Sequence, residues 1–299
     1  MVPGILTAEP LGKHVQYGIG GAADWYLDVE DRSVLPVVLQ RCAAEGLPVT
    51  VIGAGSNALI LDGGIRGLVI KLTERKLRII DDATIELSGG YMMPRAALDL
   101  AKQGIAGLEF GIGIPGTVGA SVWGNAGAFT AEIKDVLISC EVLDHEGSIT
   151  TRQRDDCGFV YRRSRFRDEM PGCVVVNARF SVVRDDPAAV RARTDAIQVQ
   201  RKAAQPYGIR SLGSVFKNPP DDKAGRLIEA AGLKGRRVGG AEIYQKHANF
   251  IINVEAATAA DVIALVEIAH DAVLTQFGVD LEREIIYLGE AAPVAEPAG

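Results

Sequence analysis

Residues 47–72 run LPVTVIGAGSNALILDGGIRGLVIKL, and the order of elements in this stretch decides the fold class. Leu47 to Ile52 is rich in β-branched residues and reads as a buried strand, preceded by a helical pattern over residues 32–45 that stops at Gly46. The loop Gly53-Ala54-Gly55-Ser56-Asn57 follows, and its backbone N–H groups could approach a pyrophosphate because no bulky Cβ stands in the way. A Rossmann dinucleotide turn would open a helix at this point. Here the chain enters short apolar strands separated by a Gly63-Gly64 turn. About twenty residues on, where a ribose-binding acid is expected, it offers Lys71 and Thr73. Short strands in meanders, mixed with helices, point to an α+β fold and away from a doubly wound sheet.

The pattern continues outward. A helix is predicted near Pro94 to Lys102, and strand-like runs such as CEVLDHEGSITT and CVVVNARFSVV alternate between Ile133 and Val183, with a turn at Glu146-Gly147. Between them, Gly111 to Gly127 (GIGIPGTVGASVWGNAG) holds six glycines in seventeen residues. Such a stretch is expensive in backbone entropy, so it implies either close packing against a sheet or the close approach of a ligand. Two neutral glycine loops fit a dinucleotide whose phosphates are held by backbone donors. The composition does not distinguish FAD from NAD.

A second unit is expected after Arg184-Asp185-Asp186-Pro187, where Asp186 can cap a helix with Pro187 at its first position. Its last helix has a capping-box pair in Thr258 and Asp261, an apolar stripe in Val262, Leu265, Val266, Ala269 and Val273, and a stop at Gly278. A final strand is predicted over Val279 to Leu288, followed by a small, unpatterned tail expected to be disordered.

At 299 residues, 47% hydrophobic and 23% charged, the chain has the composition of a globular protein, and its net charge of −6 argues against a nonspecific grip on nucleic acid. No apolar run reaches the roughly 18 residues of a membrane span, and the first residues lack the pattern of a targeting segment. A cytoplasmic protein is therefore expected. Cys42, Cys140, Cys157 and Cys173 show no CxxC pairing, which fits reduced thiols. His14, His145, His247 and His270 show no paired ligand spacing, so no metal site is expected.

Taken in order, Gly18-Ile19-Gly20-Gly21, Gly53 to Asn57, GIPGTVGASVWGNAGAF, Tyr161-Arg162-Arg163-Ser164, GSVFKNP, Lys246-His247-Ala248-Asn249 and LEREI resemble the successive motifs of the MurB family, the UDP-N-acetylenolpyruvoylglucosamine reductases, in its more compact subclass. The resemblance implies an FAD-binding half of two α+β subdomains, like that of vanillyl-alcohol-oxidase-type flavoproteins, and a C-terminal α+β substrate domain. The expected boundaries are 1–185 for the FAD-binding half (about 1–72 and 73–185), 186–288 for the substrate domain and 289–299 for the tail. It further implies FAD and NADPH as cofactors, a small UDP-sugar as substrate, and no obligate protein partner. By position, Gly53, Gly55, Ser56 and Asn57, and Ile114, Pro115, Gly116, Thr117, Gly119 and Ala120, would contact FAD. Trp123 stands where the family usually has a smaller or unbranched apolar residue, and Ala22 replaces a frequent proline.

The family's reaction sends a hydride to the enolpyruvyl methylene carbon, and negative charge then spreads from C2 into the carboxylate. Arg162 matches the residue that meets this charge, because a guanidinium stays cationic and grips a carboxylate with two parallel hydrogen bonds. Ser214 matches the proton donor to C2: a serine hydroxyl is a weak acid, but proximity and a strongly basic carbon supply the drive. Glu284 matches the third catalytic residue, useful as a neutral acid that donates a hydrogen bond. Strand alternation would put Glu282 and Glu284 on one face, and the motif favours Glu284. Lys217 and Asn218, with the more remote Arg201 and Lys202, are candidates for the diphosphate or sugar. A flavin oxidase of the same architecture would often tether FAD through a histidine in the first glycine loop, where this chain has none. A noncatalytic nucleotide-binding protein would have no need of Arg162, Ser214 and Glu284 together.

Overall fold

The strand Val174–Ser181 begins with three valines, and its first residues are buried because two hydrophobic clusters meet along it. That is why it reads as an unbroken β-branched run rather than an alternation. It lies at the centre of an antiparallel sheet in the order Ile149–Gln153, Leu137–Leu143, Val174–Ser181, Thr84–Ser88, Leu77–Ile79. Val175, Ala178 and Phe180 join a cluster with Met93, Ala96 and Leu100 of the helix Met93–Ala101 and with Val118 and Val122 of the short helix Val118–Trp123. Val174 and Val176 join another with Leu35, Val38 and Leu39 of the helix Leu35–Ala44 and with Leu68, Ile70 and Leu72. Each fully buried side chain of this size contributes about 1.5–3 kcal/mol.

The computed structural model describes residues 4–129 and 131–292. The chain forms two compact units. The first comprises the segment ending at Leu6, Trp25–Ala54 and Gly67–Arg201; the second comprises Thr7–Asp24, Gly55–Arg66 and the chain from Lys202 onward. Strands and helices are intermixed in both, so the fold is α+β. Among the described residues, no helix is long and apolar enough to cross a membrane.

Both units are discontinuous along the sequence. The helix Pro187–Ala204 belongs to the first unit as far as Arg201. Val190 packs with Ala101 and Ala106, and the Arg193 guanidinium meets Glu109 and Asp185 at 3.0 and 2.7 Å. The cap expected at its start is present, with Ala189 N–H donating to Asp186 Oδ1 at 2.9 Å. In the other direction, Tyr17, Ile19 and Leu59 from the N-terminal third are buried with Leu212, Val215, Phe216 and Ile285 of the second unit.

The second unit has an antiparallel three-stranded meander, Arg237–Val238, Ala241–Ile243 and Ile251–Asn253, packed with the helices Ala224–Ala230 and Ala259–Phe277. The last helix has the Thr258/Asp261 capping box and the Gly278 stop expected, and its stripe Val262, Leu265, Val266, Ala269 and Val273 is buried. Asp62 adds two acceptors at the same end, taking the Ala259 and Ala260 N–H groups at 2.8 and 3.0 Å. Caps of this kind stabilise by about 1 kcal/mol.

The strand expected over Val279 to Leu288 is shorter than predicted: Ile286–Leu288 pairs in parallel with Ala58–Ile60, and Arg283 makes an isolated bridge to Phe216. Residues 279–282 lie outside regular strand, and Glu282 and Glu284 bond to the 215–217 segment as that single antiparallel bridge. Of the tail expected over 289–299, Glu290 still bridges Gly64, and residues 293–299 lie outside the described residues.

Candidate active site

In the first unit the two glycine stretches lie side by side. A Cβ on Gly53 would stand 2.7 Å from Thr117 Oγ1 and 3.0 Å from the Ala120 Cβ. The loop Ile114–Ala120 is fixed by main-chain bonds, Met93 N–H to the Gly116 carbonyl at 2.9 Å and Val118 N–H to the Tyr91 carbonyl at 2.8 Å, while Thr117 Oγ1 accepts from Ala120 N–H. Gly119 serves packing: its N–H donates to the Gly89 carbonyl at 2.8 Å, and a Cβ would sit 2.7 Å from the Val175 carbonyl oxygen. Ile114, Gly116, Thr117 and Gly119 are buried, Gly53 and Pro115 are half-buried and Ala120 is exposed.

Arg162 lies in the same unit on a tight turn in which Val160 and Arg163 exchange two main-chain hydrogen bonds of 3.1 Å. Its φ of +57° is left-handed, a conformation that costs a non-glycine residue about 1–2 kcal/mol and that concentrates at functional sites. Buried polar side chains over-determine the turn. Asn125, wholly buried, donates through Nδ2 to the Val160 carbonyl and to Glu132 Oε2, both at 3.0 Å, and accepts Lys134 N–H at 3.1 Å. Ser164 Oγ donates to the Trp123 carbonyl, and the Arg167 guanidinium lies 5.7 Å from the Trp123 ring centroid while donating to the Arg162 carbonyl. The Arg162 guanidinium itself donates to the Gly127 carbonyl at 3.0 Å, at the end of the second glycine stretch.

In the second unit the remainder of the first glycine loop, the 213–218 loop and the 282–286 segment converge. Gly55 has φ +64°, and a Cβ there would collide with Val15, so the turn requires glycine. Asn57 accepts Ile286 N–H at 3.0 Å on its carbonyl and donates through Nδ2 to the Glu284 carbonyl at 3.4 Å. Glu284 N–H donates to the Val215 carbonyl at 2.8 Å, and Lys217 N–H to the Glu282 carbonyl at 2.8 Å. Ser214 and Glu284, both half-buried, are therefore tied to one another through a single intervening peptide.

Lys217 is 8% exposed, and its ammonium meets Glu282 Oε1 at 2.6 Å. Glu282, the acid that the motif did not favour, is exposed and is the partner of that lysine. Asn218 Oδ1 accepts Ala224 N–H at 3.1 Å and so supports the start of the helix Ala224–Ala230. Arg201 belongs to the first unit, where it donates to the Ile112 carbonyl at 3.3 Å. Lys202 sits 4.7 Å from the Tyr207 ring centroid. His247 makes a structural contact, with its Nδ1 3.3 Å from Asn249 N–H, and burial holds its pKa below the usual imidazole value. The residues that sequence reasoning missed, Asn125, Ser164, Glu282 and Asn249, act on the backbone or charge of their neighbours, and only the motifs around Asn125, Ser164 and Asn249 signalled them.

A family model described as an FAD binding domain matches residues 24–152. With the paired glycine loops, this defines the class: an α+β oxidoreductase that carries FAD. The model for the UDP-N-acetylenolpyruvoylglucosamine reductase C-terminal domain matches residues 205–288. The chain is 43% identical to the UDP-N-acetylenolpyruvoylglucosamine reductase of Moorella thermoacetica over 96% of its own length and 94% of the relative's. It is 41% identical to a Symbiobacterium thermophilum enzyme of the same name over 94% and 91%. The crystal structure of the Thermus caldophilus reductase superposes with a TM-score of 0.80 at 34% identity, covering 95% of this chain and 98% of that one. The chain belongs to the UDP-N-acetylenolpyruvoylglucosamine reductase (MurB) family.

Proposed function

We propose that Arg162, Ser214 and Glu284 carry out in this chain the reaction of its family, the NADPH-dependent reduction of UDP-N-acetylglucosamine enolpyruvate to UDP-N-acetylmuramate for peptidoglycan. FAD, when bound, supplies the hydride chemistry, taking a hydride from NADPH and giving it to the substrate. Gly53, half-buried, and Gly55, with Ser56, Asn57 and the Ile114 to Ala120 loop, would hold it.

Addition of hydride to the methylene carbon puts an electron pair on C2, shared with the carboxylate. Arg162 would hold that carboxylate with two parallel hydrogen bonds, so its cationic charge counts most when the negative charge has grown. Glu284, as the neutral acid, would donate a further hydrogen bond to it. Ser214 Oγ would then transfer its proton to C2, forming the C–H bond, and recover a proton from solvent. Lys217 and Asn218, with Arg201 and Lys202 further off, would face the diphosphate or sugar. The observation that carries this reading is the bond from Glu284 N–H to the Val215 carbonyl, which registers the proposed acid against the proposed proton donor.

A cytoplasmic setting without an obligate protein partner is part of the same proposal, supported by four buried, unpaired thiols and by a reaction that draws on NADPH and a nucleotide sugar. Ser214→Ala tests the mechanism. Anaerobic stopped-flow absorbance should show FAD reduction by NADPH at its normal rate. Reoxidation by the enolpyruvyl sugar should slow by roughly a hundred- to ten-thousandfold. Fast reoxidation, or an equal fall in both half-reactions, would remove Ser214 from the donor role.

A further inference from the structure

We propose that Asn249 is a positioning residue that fixes the pose of the proton-donating loop by fastening both main-chain groups of Phe216, its N–H and its carbonyl; the inference rests on the reading of Ser214 as donor. Asn249 is 3% exposed. Its Oδ1 accepts Phe216 N–H at 2.9 Å and its Nδ2 donates to the Phe216 carbonyl at 2.8 Å. Its own carbonyl accepts Val215 N–H at 2.9 Å, and its own N–H donates to His247 Nδ1 at 3.3 Å. Three of these four bonds go to the two residues that follow Ser214.

An amide is suited to this task, because it offers a donor and an acceptor side by side in one plane and so substitutes for a neighbouring strand. A carboxylate would accept and not donate, and an aliphatic side chain would do neither. Opposite Asn249, the same loop is tied by main-chain bonds to the 282–285 segment. Those bonds set the loop's course without Asn249. What its side chain adds is a second wall, which removes the freedom of the 214–216 backbone to shift by the fraction of an ångström that proton transfer to carbon does not tolerate. The side chain touches no reacting atom in this scheme and acts only through Ser214.

A double-mutant cycle on the holoenzyme, read by half-reaction, tests this. In Asn249→Ala, FAD reduction by NADPH should stay within about twofold of the parent, while reoxidation by the enolpyruvyl sugar slows by roughly ten- to a hundredfold. In a Ser214→Ala background, adding Asn249→Ala should cost less than about twofold more, since there is no donor left to position. Hydrogen exchange in the resting holoenzyme should quicken in the peptide spanning residues 214–217. Unchanged reoxidation in Asn249→Ala, multiplied losses in the double variant, or an equal fall in both half-reactions would each overturn the proposal. If Ser214→Ala itself leaves reoxidation fast, the donor reading falls first and this inference with it; if Ser214→Ala slows it and Asn249→Ala does not, this inference falls alone. Should Asn249→Ala fail to accumulate as holoenzyme, Asn249→Asp carries the same cycle, keeping the acceptor for Phe216 N–H while removing the donor.

Discussion

The turn that carries Arg162 and the loop that carries Ser214 are held by different means. Arg162 sits in a left-handed conformation, and the surrounding grip comes from side chains that are themselves buried and polar, Asn125 and Ser164. Asn125 adds to the strain with its own φ of +45°. Ser214 lies at negative φ, and its loop is paired through main-chain bonds on one side and through Asn249 on the other. The difference teaches that strain and regularity need different supports. The Ser214 loop is registered by neighbouring backbone, whereas the left-handed turn, closed by its own Val160–Arg163 pair, is clamped in addition by buried side chains.

Beyond Ser214→Ala, the largest effect expected from this comparison is at the clamped residue. Arg162→Lys keeps the charge but loses the planar two-pronged contact, and reoxidation of the reduced enzyme by the enolpyruvyl sugar should fall by roughly a hundred- to a thousandfold, as for loss of an oxyanion donor. Steady-state and single-turnover rates would check it. Reoxidation within tenfold of the parent would mean that the left-handed turn serves something other than carboxylate binding.

A smaller effect sharpens the contrast through stability. Glycine relieves left-handed strain but costs conformational entropy elsewhere, so Arg162→Gly and Ser214→Gly should change the unfolding free energy in opposite directions, each by about 1 kcal/mol or less. The Arg162 variant should be at least as stable as the parent while losing activity, and the Ser214 variant less stable. Calorimetry of both would settle the sign, and a destabilised Arg162→Gly would show that the Gly127 contact outweighs the strain.

The smallest effect concerns His247, whose neutral ring accepts the Asn249 N–H behind the Ser214 loop. Burial is the main cause of its lowered pKa, with Lys234 acting in the same direction and Glu229 against it. The unfolded chain therefore takes up a proton near pH 6.5 that the folded chain still refuses. Stability contributed by the neutral ring is present above that pH and is lost progressively as pH falls toward the depressed folded value. Urea unfolding at pH 7.5 and at acid pH should show a loss that is reduced in His247→Gln, and equal losses in the two proteins would remove His247 from the pH response.

What the sequence determined by itself was local. The capping box and stop of the helix Ala259–Phe277, the Asp186 cap, the valine run Val174–Val176 and the departure from a Rossmann turn after Asn57 each follow from residues a few positions apart, whose preferences act before tertiary contacts exist. The resemblance of the ordered motifs to the family also made Arg162, Ser214 and Glu284 the candidates for one reaction. Tertiary structure alone decided which distant segments share a unit. Leu59 is buried with residues beyond 212, and Asn57 bonds to the segment that carries Glu284. It also decided that Glu282 answers Lys217 and that Asn249 holds Phe216. These pairings depend on which donors and acceptors remain unsatisfied once the chain has compacted, and no local periodicity records that.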